Sequence, residues 1–221
     1  MPTLFTYTIP FDDGAAPNPF HGLCTLAICK PTIRRVAKPD DWVAGLGSKN
    51  APSGDLSGKL VFAMKVKKVI TLKEYDQRAP TEWPKKIPQP FSRDLADRLG
   101  DCIYDYKNGS SPNQRPGVHD RDNVKADLSG VNVLISEDFY YFGSKAIPLD
   151  PDLTDICHQS QGHKSKANAG YVDKFDAWMR GLGLETGQLY GWPDLIVDWS
   201  AAQKGAGCRS RAEESADDPV C

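Results

Sequence analysis

Four side chains have the types and settings for proton transfer or nucleophilic attack: His119, His163, Lys164 and Cys24. His119 opens the run His119-Asp120-Arg121-Asp122-Asn123. A metal hydrolase would need further ligands beside such a His–Asp pair, whereas Asx side chains readily hold a turn there. His163 and Lys164 belong to Gln161-Gly162-His163-Lys164-Ser165, just ahead of a strongly amphipathic stretch. Backbone amides at a helix start, with Lys164 and Ser165, could hold an anion, and Asn168 suits a cap. Cys24 and Cys29, five residues apart on one expected strand, point to opposite faces, so a shared metal is not expected. Cys157-His158, with Asp155 and His163, lacks a second Cys or His pair to complete a tetrahedral site. No phosphate-binding Walker loop, dinucleotide glycine fingerprint, Gly-x-Ser-x-Gly elbow or His-Glu-x-x-His occurs. Spacing alone therefore implies no metal, no cofactor and no completed catalytic motif, which favours binding over catalysis.

The elements that must position these residues are mostly short. Leu4 to Ile9 alternates Phe5, Tyr7 and Ile9 with Thr6 and Thr8, the pattern of a half-buried strand. Leu23 to Ile28 and Asp41 to Leu46 read as strands, and Lys59 to Ile70 as one long strand. Pro31 can open a short helix through Ala37, and a brief helix is expected over Leu72 to Gln77. Four prolines between 80 and 90 predict an extended surface loop. Ser92 to Leu99 suits a short helix capped by Ser92, and Cys102 to Tyr106 a strand. Val131–Ile135 and Phe139–Phe142 are expected to pair as a hairpin across Ser136-Glu137-Asp138. One helix is clear: Tyr171, Phe175, Trp178, Met179 and Leu182 form a single apolar stripe, closed by Gly181 and Gly183. From about residue 204 the chain is polar, charged and small, and is expected to be a disordered tail.

Composition bounds the class. The 221 residues include 40% hydrophobic and 25% charged side chains, 19 Gly and 17 Pro, which favours turns and short elements over a helical bundle. No apolar run reaches membrane-spanning length and no signal peptide opens the chain, so a cytoplasmic protein with reduced thiols is expected. The net charge of −2 hides an asymmetry: 13 Lys and Arg against 8 Asp and Glu in residues 1–90, and 14 against 21 in residues 91–221. A basic face for nucleic acid could come only from the first half, through Lys30, Arg34, Arg35, Lys38, Lys65, Lys67 and Lys68. The expected fold is α+β, a single domain over residues 1–203, with a curved sheet or small β-barrel and a few peripheral helices.

Three runs carry a family resemblance: Asp13-Gly14-Ala15-Ala16-Pro17-Asn18-Pro19-Phe20, Cys24-Thr25-Leu26-Ala27-Ile28-Cys29-Lys30-Pro31-Thr32-Ile33-Arg34, and Asp41-Trp42-Val43-Ala44-Gly45. With Val133–Ser136, Phe139–Gly143 and Gln161–Ser165, the chain resembles the nucleotide-modification-associated domain proteins of bacteria and phages, of the second type. The resemblance covers roughly residues 4–182 and implies a part in nucleotide or DNA-base modification, without an established reaction. Asp40-Asp41-Trp42 departs from the Gly-Asp-Trp expected there. The order of elements is also similar to PUA-like barrels of the EVE and ASCH groups, which implies a pocket for a single, sometimes modified, base. Such a pocket needs aromatic walls, for which Phe20, Trp42, Tyr140 and Tyr141 are candidates. Asn18, Ser136 and Gln161 are candidate base-edge partners, and Lys30 and Arg34 candidate phosphate contacts.

The leading expectation is recognition of a base or nucleotide, with DNA favoured. The site would form where the Asn18–Phe20 loop, the Lys30–Arg34 turn, Trp42 and the Gln161–Ser165 loop meet. The alternative is an enzyme using His119, His163, Lys164 or Cys24 as acid, base or nucleophile. Other proteins of a modification system are possible partners; a membrane is not.

Overall fold

The computed structural model describes residues 1–157 and 162–195. Strand β1 (Leu4–Ile9) and β2 (Cys24–Leu26) are followed by helix α1 (Pro31–Val36), then β3 (Trp42–Gly47), β4 (Lys59–Lys65) and β5 (Lys68–Thr71). Next come α2 (Leu72–Glu82), α3 (Leu95–Arg98), β6 (Tyr104–Asp105), β7 (Asn113–Gln114) and α4 (Val124–Ser129). The chain continues with β8 (Asn132–Ser136), β9 (Phe139–Tyr141), β10 (Ile147–Pro148), β11 (His163–Lys164), α5 (Val172–Gly181) and β12 (Gln188–Leu189).

Seven strands form a mixed sheet in the order β11-β1-β3-β4-β9-β12, with β10 also on β4. Its edges do not meet, so the α+β expectation holds with a curved open sheet and not a closed barrel. A second sheet, β2-β8-β5, packs against one face of the first. Phe5, Tyr7 and Ile9 of β1 point into that interface, together with Leu26 of β2 and Ile33 of α1. The opposite face, with Leu4, Trp42, Ala44 and Tyr140, is covered by α5 through Val172, Phe175 and Met179. Burying each such side chain contributes roughly 1.5–3 kcal/mol, which is why the apolar stripe of α5 was legible. Beyond the second sheet, α2 packs Leu72, Tyr75 and Ala79 on Val133 and Ile135.

The expected long strand over 59–70 is two strands in different sheets. The chain crosses at Val66-Lys67: the Val66 amide donates to Asp41 O at 2.8 Å and the Lys67 amide to Ile135 O at 3.0 Å. Beside it, β8 leaves the second sheet and β9 enters the first, with the Ser136 hydroxyl donating to Lys65 O. Two strands thus change sheets at one corner, so Val131–Ile135 and Phe139–Phe142 do not form the expected hairpin. Each pairs with other strands instead.

The proline-rich stretch is also not an extended surface loop. Thr71 and Glu74 form a capping box that starts α2, which runs to Glu82, and a 3-10 turn over Pro84–Lys86 then buries Lys86. Its ammonium donates to Asn18 O, Asn18 Oδ1 and Leu23 O. Helix α3 is capped by Asp94 and not by Ser92. The expected tail from residue 204 lies outside the described residues. No helix among the described residues is long and apolar enough to cross a membrane.

Candidate active site at the Cys29 corner

Strand β2 ends at Leu26, and three residues later the chain turns sharply into α1. Cys29 has φ 57° and Lys30 φ 41°, both left-handed, which costs of order 1–3 kcal/mol per residue and persists only where the surroundings hold it. Three groups hold this corner. Pro31 starts α1 with its fixed φ and needs no acceptor for an N–H. The Cys29 amide donates to Asp127 Oδ1 of α4 at 2.8 Å. The Arg34 guanidinium, fully buried, donates to Cys29 O at 3.1 Å, Asp127 O at 3.0 Å and Asn132 O at 2.7 Å.

The corner presents a thiol to a histidine. Cys29 Sγ lies 3.3 Å from His119 Nε2, and His119 Nδ1 lies 2.6 Å from Asp127 Oδ2. The Tyr104 hydroxyl donates to the same Oδ2 at 2.8 Å. An anionic acceptor at Nδ1 favours the tautomer with its proton on Nδ1, which leaves the Nε2 lone pair to receive the thiol proton. His119 and Asp127 are buried, while Cys29 is partly exposed. The loop carrying His119 is held by the expected Asx turn: Asp120 and Asn123 form a capping box.

Buried carboxyls border the site. Burial raises the carboxyl of Asp13, and a proton gained by His119 would oppose that. Burial pushes neighbouring Asp12 up to about 7, against the hydrogen bond it accepts from the Tyr141 hydroxyl, which lies 2.7 Å from both carboxyl oxygens. A carboxyl raised on folding contributes stability that is complete below its unfolded value near 4 and is lost as pH rises through about 7. Asp12→Asn should therefore gain on the wild type by on the order of 1–3 kcal/mol between pH 4 and pH 8. Parallel pH series of urea denaturation check this, and two curves of equal slope would refute it.

The other anticipated residues fall in several places. Cys24 is fully buried and its thiol is pushed up to about 12 by burial, so it cannot act as the nucleophile. Lys30 stands over the Tyr7 ring, 4.6 Å from its centroid, and Tyr7 pairs with His163 across β1 and β11. Lys30 and His163 therefore share the face that carries the Cys29 corner. Trp42 does not: it is buried on the opposite face, edge-on to Phe175 at 5.4 Å, with Nε1 donating to Asp176 Oδ1 at 3.0 Å. Tyr140 is buried on that same face, its hydroxyl accepting from Arg180 at 3.2 Å, and Phe20 is closed within the core beyond β2. The pocket expected from four meeting segments is thus divided by the sheet, which the one-dimensional pattern of aromatics could not reveal.

Arg34 gives its donors to backbone carbonyls and has no face for a phosphate. Asn18 pairs with Thr25 across a bridge, donates to Leu99 O at 2.7 Å and accepts from Lys86, which makes it part of the scaffold behind β2. Ser136 accepts from the Asp138 amide at 3.0 Å at the sheet-switching corner. Lys164 donates to Asp155 O at 3.0 Å. Ser165 precedes a 3-10 turn without capping it. Asn168 does not cap α5 but ties that turn to β1, donating to Leu4 O at 3.1 Å and Thr6 Oγ1 at 2.9 Å. Gln161 and His158 lie outside the described residues.

Sequence reasoning did not bring Cys29 together with His119 and missed Asp127 altogether. The only local signal was the Cys-x-Pro step from strand to helix, which is weak by itself.

A profile of the nucleotide modification associated domain 2 family matches residues 1–202. No curated protein and no solved structure matches the chain. The likeness to PUA-like barrels finds no support in these comparisons.

Proposed function

Because the chain belongs to the nucleotide modification associated domain 2 family, we propose that it is a thiol-dependent enzyme of nucleotide modification. Cys29 is the nucleophile, His119 the general base and Asp127 the group that orients His119. The observation that carries this reading is the succession of contacts from Cys29 to His119 to Asp127, at 3.3 and 2.6 Å, at a strained strand-to-helix corner. Lys30, next to the nucleophile and partly exposed, is the cation placed to meet a nucleotide phosphate. Recognition of a base, in DNA by preference, then serves catalysis instead of being the whole function.

Iodoacetamide reactivity tests the reading. At pH 7, Cys29 should be alkylated about 10–100-fold faster than Cys157, which is also partly exposed but whose thiol is raised by burial. His119→Asn should remove most of that advantage. A mixture of deoxynucleoside monophosphates should protect Cys29. Equal rates at the two cysteines, unchanged by His119→Asn, would overturn the assignment.

A further inference from the structure

The polar groups around Cys29 are unevenly used. Its own N–H is taken by Asp127 and its own C=O by Arg34. The N–H of Lys30, the next group along the chain, donates to no acceptor among the described residues. An amide with no acceptor among the described residues, one peptide beyond Cys29 on a sharp turn from strand to helix, has the position from which an oxyanion is stabilised in acyl transfer. This inference rests on the thiol reading above and narrows its chemistry.

We infer that the Cys29 corner performs acyl transfer through a thioester, with the Lys30 backbone N–H donating to the oxyanion. His119 Nε2 takes the thiol proton as Sγ bonds to the acyl carbon, and the carbonyl π pair moves onto oxygen, facing the Lys30 N–H. The intermediate collapses, the bond from carbon to the leaving amine, thiol or alcohol breaks, and that group takes the proton from His119. The acyl group remains on Cys29 until an amino or hydroxyl group of a nucleotide, or water, attacks. Its proton passes to His119 and Sγ leaves with the bonding pair. The donor is thus an ester, thioester or amide.

The open N–H discriminates among thiol chemistries. In acyl transfer the negative oxygen is one bond from the attacked carbon and so lies beside sulfur. Attack on C6 of a pyrimidine ring places charge on an oxygen three bonds away, and alkyl displacement creates no oxyanion at all. Of these three, only acyl transfer uses a donor adjoining the nucleophile.

The experiment compares two probes on the full chain. With p-nitrophenyl acetate, the wild type should release p-nitrophenolate in a burst equal to the protein concentration. A hydroxylamine-labile acetyl group should then be found on Cys29. Replacing the Lys30 amide by an ester, using the α-hydroxy analogue of lysine, deletes only the N–H. Acetylation should slow about 10²–10³-fold, as on removal of one oxyanion donor, while alkylation by iodoacetamide keeps its rate. Acetylation and alkylation both unchanged would overturn the inference. If the ester variant does not fold, the wild type decides. No acetyl thioester on a Cys29 that iodoacetamide labels rapidly would overturn acyl transfer and leave the thiol reading standing. A Cys29 inert to both probes would overturn the two together.

Discussion

Asp127→Asn should leave a folded protein whose Cys29 has lost its activation. The side chain of Asp127 accepts from the Cys29 amide, the Tyr104 hydroxyl and His119 Nδ1. An asparagine presents one acceptor oxygen and one NH2 where three donors converge. If its NH2 faces His119, the ring must accept at Nδ1 and carry its proton on Nε2, the tautomer that cannot take a proton from Sγ. In serine proteases the equivalent change lowers turnover by about 10⁴. Here the alkylation advantage of Cys29 over Cys157 should vanish at pH 7, and turnover of an acyl probe should fall about 10²–10⁴-fold. Leaving one buried donor unmatched costs about 1–3 kcal/mol as well. Tyr104→Phe separates the two effects, because it deletes a bond to Asp127 without touching His119. It should lose stability and keep thiol reactivity. An Asp127→Asn protein that retains the wild-type alkylation rate and pH profile would reduce the triad to a packing arrangement.

Arg34→Met should be the most destabilising single change at the site. The methionine fills much of the same channel but strands the carbonyls of Cys29, Asp127 and Asn132, each now accepting from the guanidinium. Removing a buried charged donor from a satisfied network costs about 3–5 kcal/mol. The channel is made by Gly130: a Cβ there would fall 2.5 Å from Arg34 Cζ, so Gly130→Ala should reproduce part of the loss. Urea denaturation measures both. Arg34→Met should also slow alkylation of Cys29, since the αL corner loses the clamp on its carbonyl. A variant as stable as the wild type would mean that water replaces the guanidinium, and the clamp would then have no role in holding the corner.

Local physics made part of this protein legible in one dimension. Alternation in Leu4–Ile9 gives β1 with the expected bounds, and the proline at position 31 opens α1. Of the stripe Tyr171, Phe175, Trp178, Met179 and Leu182, Phe175 and Met179 are fully buried and the other three are partly buried against the same cluster. These signals are local because strand and helix periods are set within a few residues. The family membership was legible too, since it rests on the order of residues alone.

Tertiary structure decided the rest. Lys59–Ile70 has the composition of one strand, yet the buried Val66 carries it from one sheet to the other, and only the position of the second sheet determines that crossing. Trp42, Phe20 and Tyr140 looked equally suited to a pocket wall, because aromatic character does not state which layer a side chain enters. The two cysteines of the second family run, Cys24 and Cys29, were indistinguishable by type. What separates them is that Cys24 points into the interface between sheets, while Cys29 stands on a left-handed corner beside a histidine 90 residues away. Asp127, 98 residues from the amide it binds, was one acid among many in an acidic half. A contact made across such separations has no spacing rule, because its geometry is set by the packing of α4 against α1 and not by the chain between them.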